Sequence, residues 1–113
     1  MAAGLQILQR AERAALYKSL IAQLNKDFQR AGVADQFSDN LTPEVLARNL
    51  TASLYNIIVS DFEVYLNLLY AIDVSESKIK SLPQQEVHEL TFAVSELILE
   101  REFVKVSFKN KSE

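Results

Sequence analysis

Two charged residues sit inside otherwise apolar helical stripes, and chemistry is most readily imagined there. At about 100° per residue, Asp61 falls one turn after Ile57 and one turn before Tyr65, on the face built by Leu54, Ile58 and Leu69. Arg101 follows Leu97 and Ile98 and precedes Val104, in line with Leu90 and Val94. A lone buried carboxylate or guanidinium is strongly disfavoured, so each needs an opposite charge or a route to water. Pairing Asp61 with Arg101 meets both needs. Antiparallel helices joined through a short connection leave an axial offset of about 10 Å, much of which the long Arg side chain can span. Arg13 for Asp61 and Asp27 for Arg101 are the alternative partners, both near the apolar face of the first helix. The expectation is a buried ion pair that selects one packing arrangement; the alternatives are an anion-binding or acid–base site in the bundle core and a helix break that leaves Asp61 as an N-terminal capping-turn residue.

Other chemistries lack the residues they need. One histidine, His88, and no cysteine remove thiol chemistry, Cys-rich zinc sites and multi-histidine metal cages. The same-face neighbours of His88 are Gln84, Gln85, Thr91 and Phe92. No carboxylate stands at the spacing of a di-iron bundle motif, so the ring reads as a surface or partly packed histidine. Gly4 and Gly32 are too isolated to form a phosphate-cradling loop. No serine has a well-placed histidine base, although a serine–lysine arrangement assembled in three dimensions stays open. The residues therefore assign no catalytic group, no metal site and no cofactor, and a binding protein is expected ahead of an enzyme.

The elements that must position these residues are long helices, because glycine and proline are so sparse. Leu16, Leu20, Leu24 and Phe28 repeat every four residues and predict a helix over 5–31, closed by Gly32 as a C-cap. A polar connection over 33–41 follows, with Phe37 tucked down as its anchor. Thr42, Pro43 and Glu44 form a strong helix start, and the apolar face from Leu46 to Ile72 predicts one helix over 43–71. Ser60 and Glu63 fit a capping box that offers a competing break. Asp73 and Glu76 start a short helix that brings Ile79 and Leu82 inward. The last helix spans about 82–104, capped by Ser81 and Gln84 and carrying Val87, Leu90, Val94, Leu97 and Ile98 on one face. Beyond it, Val104, Val106 and Phe108 alternate with polar residues. A tail that frays from about 105 is expected, with a strand added to a partner's sheet as the alternative. The fold class is all-α, a compact bundle of three long helices and one short connecting helix in a single domain over 1–113.

The segments DFEVYLNLLYAIDVSESKI (61–79) and ELILEREFVKVSFKN (96–110), with LIAQLNKDF (20–28), carry a resemblance that extends over most of the chain. It resembles a group of short uncharacterised all-helical bacterial proteins. The resemblance implies bacterial origin and a cytoplasmic address, and carries over no activity or ligand.

Charge and hydropathy bear on partners. Net charge is −3, with an acidic middle between mildly basic ends. The C-terminal end offers only Lys105, Lys109 and Lys111 near Arg101, too few for the basic stripe that phosphate neutralisation requires, so nucleic acid is not an expected partner. No apolar run approaches the ~20 residues of a membrane helix. Residues 1–9 lack the basic region of a secretory signal, so a soluble cytoplasmic protein is expected. The apolar surface exceeds what one seam can hold. Phe92, Leu99, Phe103 and Val106 form a second strip on the last helix, and Tyr55, Val59, Leu66 and Tyr70 lie beside the main stripe of the second. These strips predict a homodimer or a protein partner, with a two-fold interface centred on Phe92, Leu99 and Phe103. The expected function is a helical interaction or scaffold protein; the alternative is a small-ligand protein or enzyme around Asp61 and Arg101.

Overall fold

Both of the long apolar runs that read as single helices are interrupted, and the described residues form six helices. The computed structural model describes residues 2–111. The helices are α1 (Leu5–Arg13), α2 (Tyr17–Arg30), α3 (Pro43–Ser60), α4 (Phe62–Ile72), α5 (Glu76–Lys80) and α6 (Val87–Lys111), with no strand among the described residues. The all-α class holds, while the count of three long helices and one short one is corrected. None of these helices is long and apolar enough to cross a membrane.

The first interruption carries no glycine or proline signal. Ala15 adopts φ 59°, and the Leu16 N–H donates to Ala11 O at 2.8 Å while the Ala15 N–H donates to Glu12 O at 3.0 Å. That is a Schellman ending with alanine in the left-handed position glycine usually takes. Tertiary packing accounts for the break: α1 rests on α3 and α6, whereas α2 rests on α4 and α6. The same ending closes α2 at Gly32 and α4 at Asp73, where the Val33 and Val74 N–H groups donate back to Phe28 O and Leu69 O at 2.9 and 3.1 Å. Only the Gly32 ending is marked by glycine.

The second interruption falls at Asp61, which leaves helical geometry (φ −153°, ψ 85°) and accepts the Val64 N–H on its own carboxylate at 3.2 Å. A break near Ser60 was the competing reading, but the capping side chain is that of Asp61. Thr42 caps α3 as expected, accepting the Val45 N–H, with Pro43 in the first turn. The connection over 33–41 is fixed by Phe37, buried edge-on to Phe28 at 5.2 Å. Asn25 bonds both the carbonyl and the N–H of Phe37. The Tyr17 hydroxyl donates to Leu41 O at 2.6 Å; burial, helped by the Glu12 charge, pushes that phenol up to about 12.

The last helix departs furthest from expectation. It begins at Val87 instead of 82, because the Glu86 carboxylate accepts the Glu89 N–H at 2.9 Å and so supplies the cap expected from Ser81. It continues through Lys111 without the fraying expected from about 105, since Val106 is buried in the core; residues 112 and 113 of that predicted tail lie outside the described residues. At about 1.5 Å per residue α6 is as long as the largest dimension of the molecule, 37 Å, and it packs against α1, α2, α3 and α4. Its buried face reads Thr91, Val94, Ser95, Ile98, Leu99, Glu102 and Val106. Polar residues occupy the middle of that face while apolar ones spread around the rest, so a wheel drawn from hydrophobicity alone points elsewhere.

Replacing Ala15 with glycine should raise stability by about 0.5–1 kcal/mol, because a left-handed alanine carries a steric cost that glycine lacks. Urea unfolding of Ala15→Gly measures this; a lower midpoint would show that residue 15 is not left-handed in solution.

Candidate functional site

The structure does not bring Asp61 and Arg101 together. Asp61 is exposed at the N-terminus of α4. Arg101 meets the other end of that helix, its Nη2 lying 3.0 Å from Asp73 Oδ2. The 11 residues of α4 separate the two sites by about 16 Å. The alternative partners fail as well: Arg13 stays exposed in the last turn of α1, and Asp27 is occupied by another cation. The cause is the break at residue 61, which converts a stripe position into a cap. Arg101, in turn, lies at the edge of the buried face of α6 and not at its centre.

The buried charges lie one turn further along α6. Asp27 and Glu102 are both fully buried. Lys105 Nζ donates to Asp27 Oδ2 at 2.6 Å and to Ile72 O at 3.1 Å, and lies 3.1 Å from Glu102 Oε1. One ammonium thereby joins α2, the last carbonyl of α4, and α6. Gln23 adds a hydrogen bond to the other Asp27 oxygen at 3.2 Å. Neither oxygen of Glu102 has a hydrogen bond of good geometry to an identified donor. Burial is the largest influence on that carboxyl, Asp27 reinforces it through hydrogen bonding and charge, and Lys105 opposes it; the result is a Glu102 pKa pushed up to about 8. Two carboxyl groups thus share one ammonium, and Glu102 holds its proton to higher pH than an ordinary carboxyl. The cluster is enclosed by packed helices and serves as a latch between elements.

An open cleft of about 700 Å³ lies beside it, between α1, the α4–α5 turn and the outer side of α6. Ile7, Val74, Leu97 and Phe103 contribute apolar lining, and Arg10, Lys78 and Arg101 contribute positive charge. Arg10 stacks over the Phe103 ring at 5.3 Å from its centroid. His88 is remote from these groups in the fold's contacts: exposed, it stacks on Tyr55 with ring centroids 4.5 Å apart. Among the described residues no group of three His, Cys, Asp or Glu side chains is placed to hold a metal ion.

The apolar surface is also redistributed. Of the strip expected to form an interface, Leu99 and Val106 are buried in the chain's own core, Phe103 is half-buried under Arg10, and Phe92 is partly open. A two-fold contact centred on those residues would require the core to open. The exposed apolar row lies instead along the end of α3 and the outward face of α4: Val59 (55% exposed), Phe62 (58%), Leu66 (50%) and Tyr70 (89%). Val59, Leu66 and Tyr70 were legible as surplus apolar residues. Phe62, within the apolar run read as one face from Leu46 to Ile72, opens α4 after the break and lies exposed. Glu102 and Lys105 were missed because a search for charges within apolar stripes passes over charges that define the stripe's polar centre. Asp27, three residues after Leu24 and beside Phe28, was the available signal.

The chain matches no known protein family, no curated protein and no solved structure.

Lys105→Met strands a buried Asp27 and should cost about 3–5 kcal/mol, whereas Arg101→Met breaks only a largely exposed pair and should cost under about 1 kcal/mol. Chemical denaturation of both variants checks the order, and equal losses would assign the latch wrongly. The proton on Glu102 makes a separate prediction. Folded Glu102 holds it to about pH 8, while an unfolded chain releases it near the ordinary 4.5. The native state therefore binds more protons between those values. Its contribution is complete below 4.5 and declines to nothing as pH rises through 8. Glu102→Gln should flatten this decline and leave the variant more stable than the parent above pH 8 by about 1–3 kcal/mol; parallel pH profiles would refute the assignment.

Proposed function

We propose that this protein is a cytoplasmic helical docking protein, which engages an amphipathic helix of a partner through the outward face of α4. The observation that carries the reading is the row of Phe62, Leu66 and Tyr70 at four-residue spacing, each half or more exposed, continued by Val59. Such rows accept helix-in-groove or helix-on-helix partners. Phe62 is supported from below by the buried Tyr65, with ring centroids 5.3 Å apart, so this anchor is ordered before a partner arrives.

Charge favours a basic-flanked partner over a second copy. Between Arg48 and Lys78 the chain carries Asp61, Glu63, Asp73 and Glu76 and no lysine or arginine. Two copies of α4 packed in parallel would set Asp61 and Glu63 against their own duplicates. A helix with leucines on one face and lysines beside them has no such conflict.

A synthetic amphipathic peptide of that kind should bind and shift the amide resonances of residues 59–70, while an acidic-flanked peptide of the same apolar face should not. Leu66→Glu, an exposed change, should weaken the lysine-flanked peptide by about tenfold or more with little change in melting temperature. Indifference to peptide charge, or sedimentation of the protein alone as an α4-mediated dimer that Leu66→Glu dissociates, would overturn the basic-helix reading.

A further inference from the structure

From the cleft between α1, the α4–α5 turn and α6, we infer a second site that binds a small amphipathic anion, a single acidic head on an apolar chain. Its volume, about 700 Å³, falls in the range of small-molecule pockets. Its apolar part includes surface the fold leaves open: Val104 and Phe108 line the cleft and are 38% and 68% exposed.

The positive charge at the cleft is incompletely used within the protein. Arg101 commits one terminal nitrogen to Asp73 at 3.0 Å, yet its Nε is buried with no acceptor. Its side chain is nonetheless 37% exposed and lines the cleft, where a ligand oxygen can pair with the accessible part of the guanidinium. Arg10 meets the face of Phe103 and has no ion pair among the described residues, and neither does Lys78. Two carboxylates also line the cleft. Asp73 is engaged by Arg101, and Glu100 is exposed. With Arg101 and Asp73 paired, Arg10 and Lys78 stand against Glu100 alone, and the resulting excess of positive charge favours an anion. Phe103 under Arg10 and the open Phe108 then favour an apolar body attached to it. This site is distinct from the outward face of α4 and does not depend on the docking reading.

Decanoate is a suitable probe, with decanol and decyltrimethylammonium as controls that keep the chain and change the head. Calorimetric titration should give saturable decanoate binding, with amide shifts concentrated at residues 97–108 and 73–78. Decanol should bind more weakly, and the cationic amphiphile should not bind. Arg10→Gln and Arg101→Gln should each weaken decanoate by about tenfold while leaving decanol unaffected. Lys78→Glu, on exposed α5, supplies a second test if an arginine variant folds poorly. Equal binding of the cationic amphiphile, shifts confined to residues 59–70, or no saturable binding below decanoate's aggregation threshold would each overturn the proposal. So would sedimentation with anionic vesicles by a protein that ignores free decanoate, which would make the cleft a membrane contact.

Discussion

A single ammonium group, Lys105 Nζ, sets the arrangement on which the rest of the molecule depends. It draws a carboxylate from α2, a helix-terminal carbonyl from α4 and a carboxyl from its own helix to one point. One turn earlier on α6, Arg101 holds the Asp73 carboxylate that follows the same α4 terminus. Two cations thus meet the negative end of one helix dipole. Fixing that terminus fixes the rotation of α4 about its axis. Tyr65, Leu68, Leu69 and Ile72 are carried inward, and Phe62, Leu66 and Tyr70 outward. The exposed row is therefore a consequence of where α4 ends as much as of its own sequence.

Much of the fold was legible because local signals and packing agree. Thr42 and Pro43 begin a helix, Gly32 ends one, Phe37 anchors its loop, and Leu20, Leu24 and Phe28 face the core. The breaks were less legible for different reasons. Arg13, Ala14, Ala15 and Leu16 are good helix formers, so nothing local ends α1; the gain comes from α1 and α2 leaning on different neighbours. At Asp61 the carboxylate can serve either as a buried partner or as a cap, and the cap keeps it hydrated.

The buried charges on α6 lie off its most apolar stripe. An ion pair joining the first apolar run to the last helix does exist, but its members are Asp27 and Lys105. Arg101 was selected because Leu97, Ile98 and Val104 surround it in sequence. In space, Leu97 is only half-buried and Val104 is open, whereas Thr91, Ser95 and Glu102 are enclosed. Hydrophobicity identifies a helix face when the core is uniformly apolar. Here the centre of the core is polar, and only the neighbouring helices reveal which direction is inward.

That polar centre also bears on how the chain comes together during synthesis. The four helices that α6 supports all precede it in the chain, so they leave the ribosome before the element they share. Until it follows, Asp27 lacks its ammonium and the α4 terminus lacks both cations. The earlier segments can form individual helices but not their final mutual orientation. Closure through α6 requires contacts between residues far apart in sequence, such as 27 and 105, which slows the last step. The interval before that step is one in which a chaperone would encounter the apolar faces of α1 to α4 unshielded.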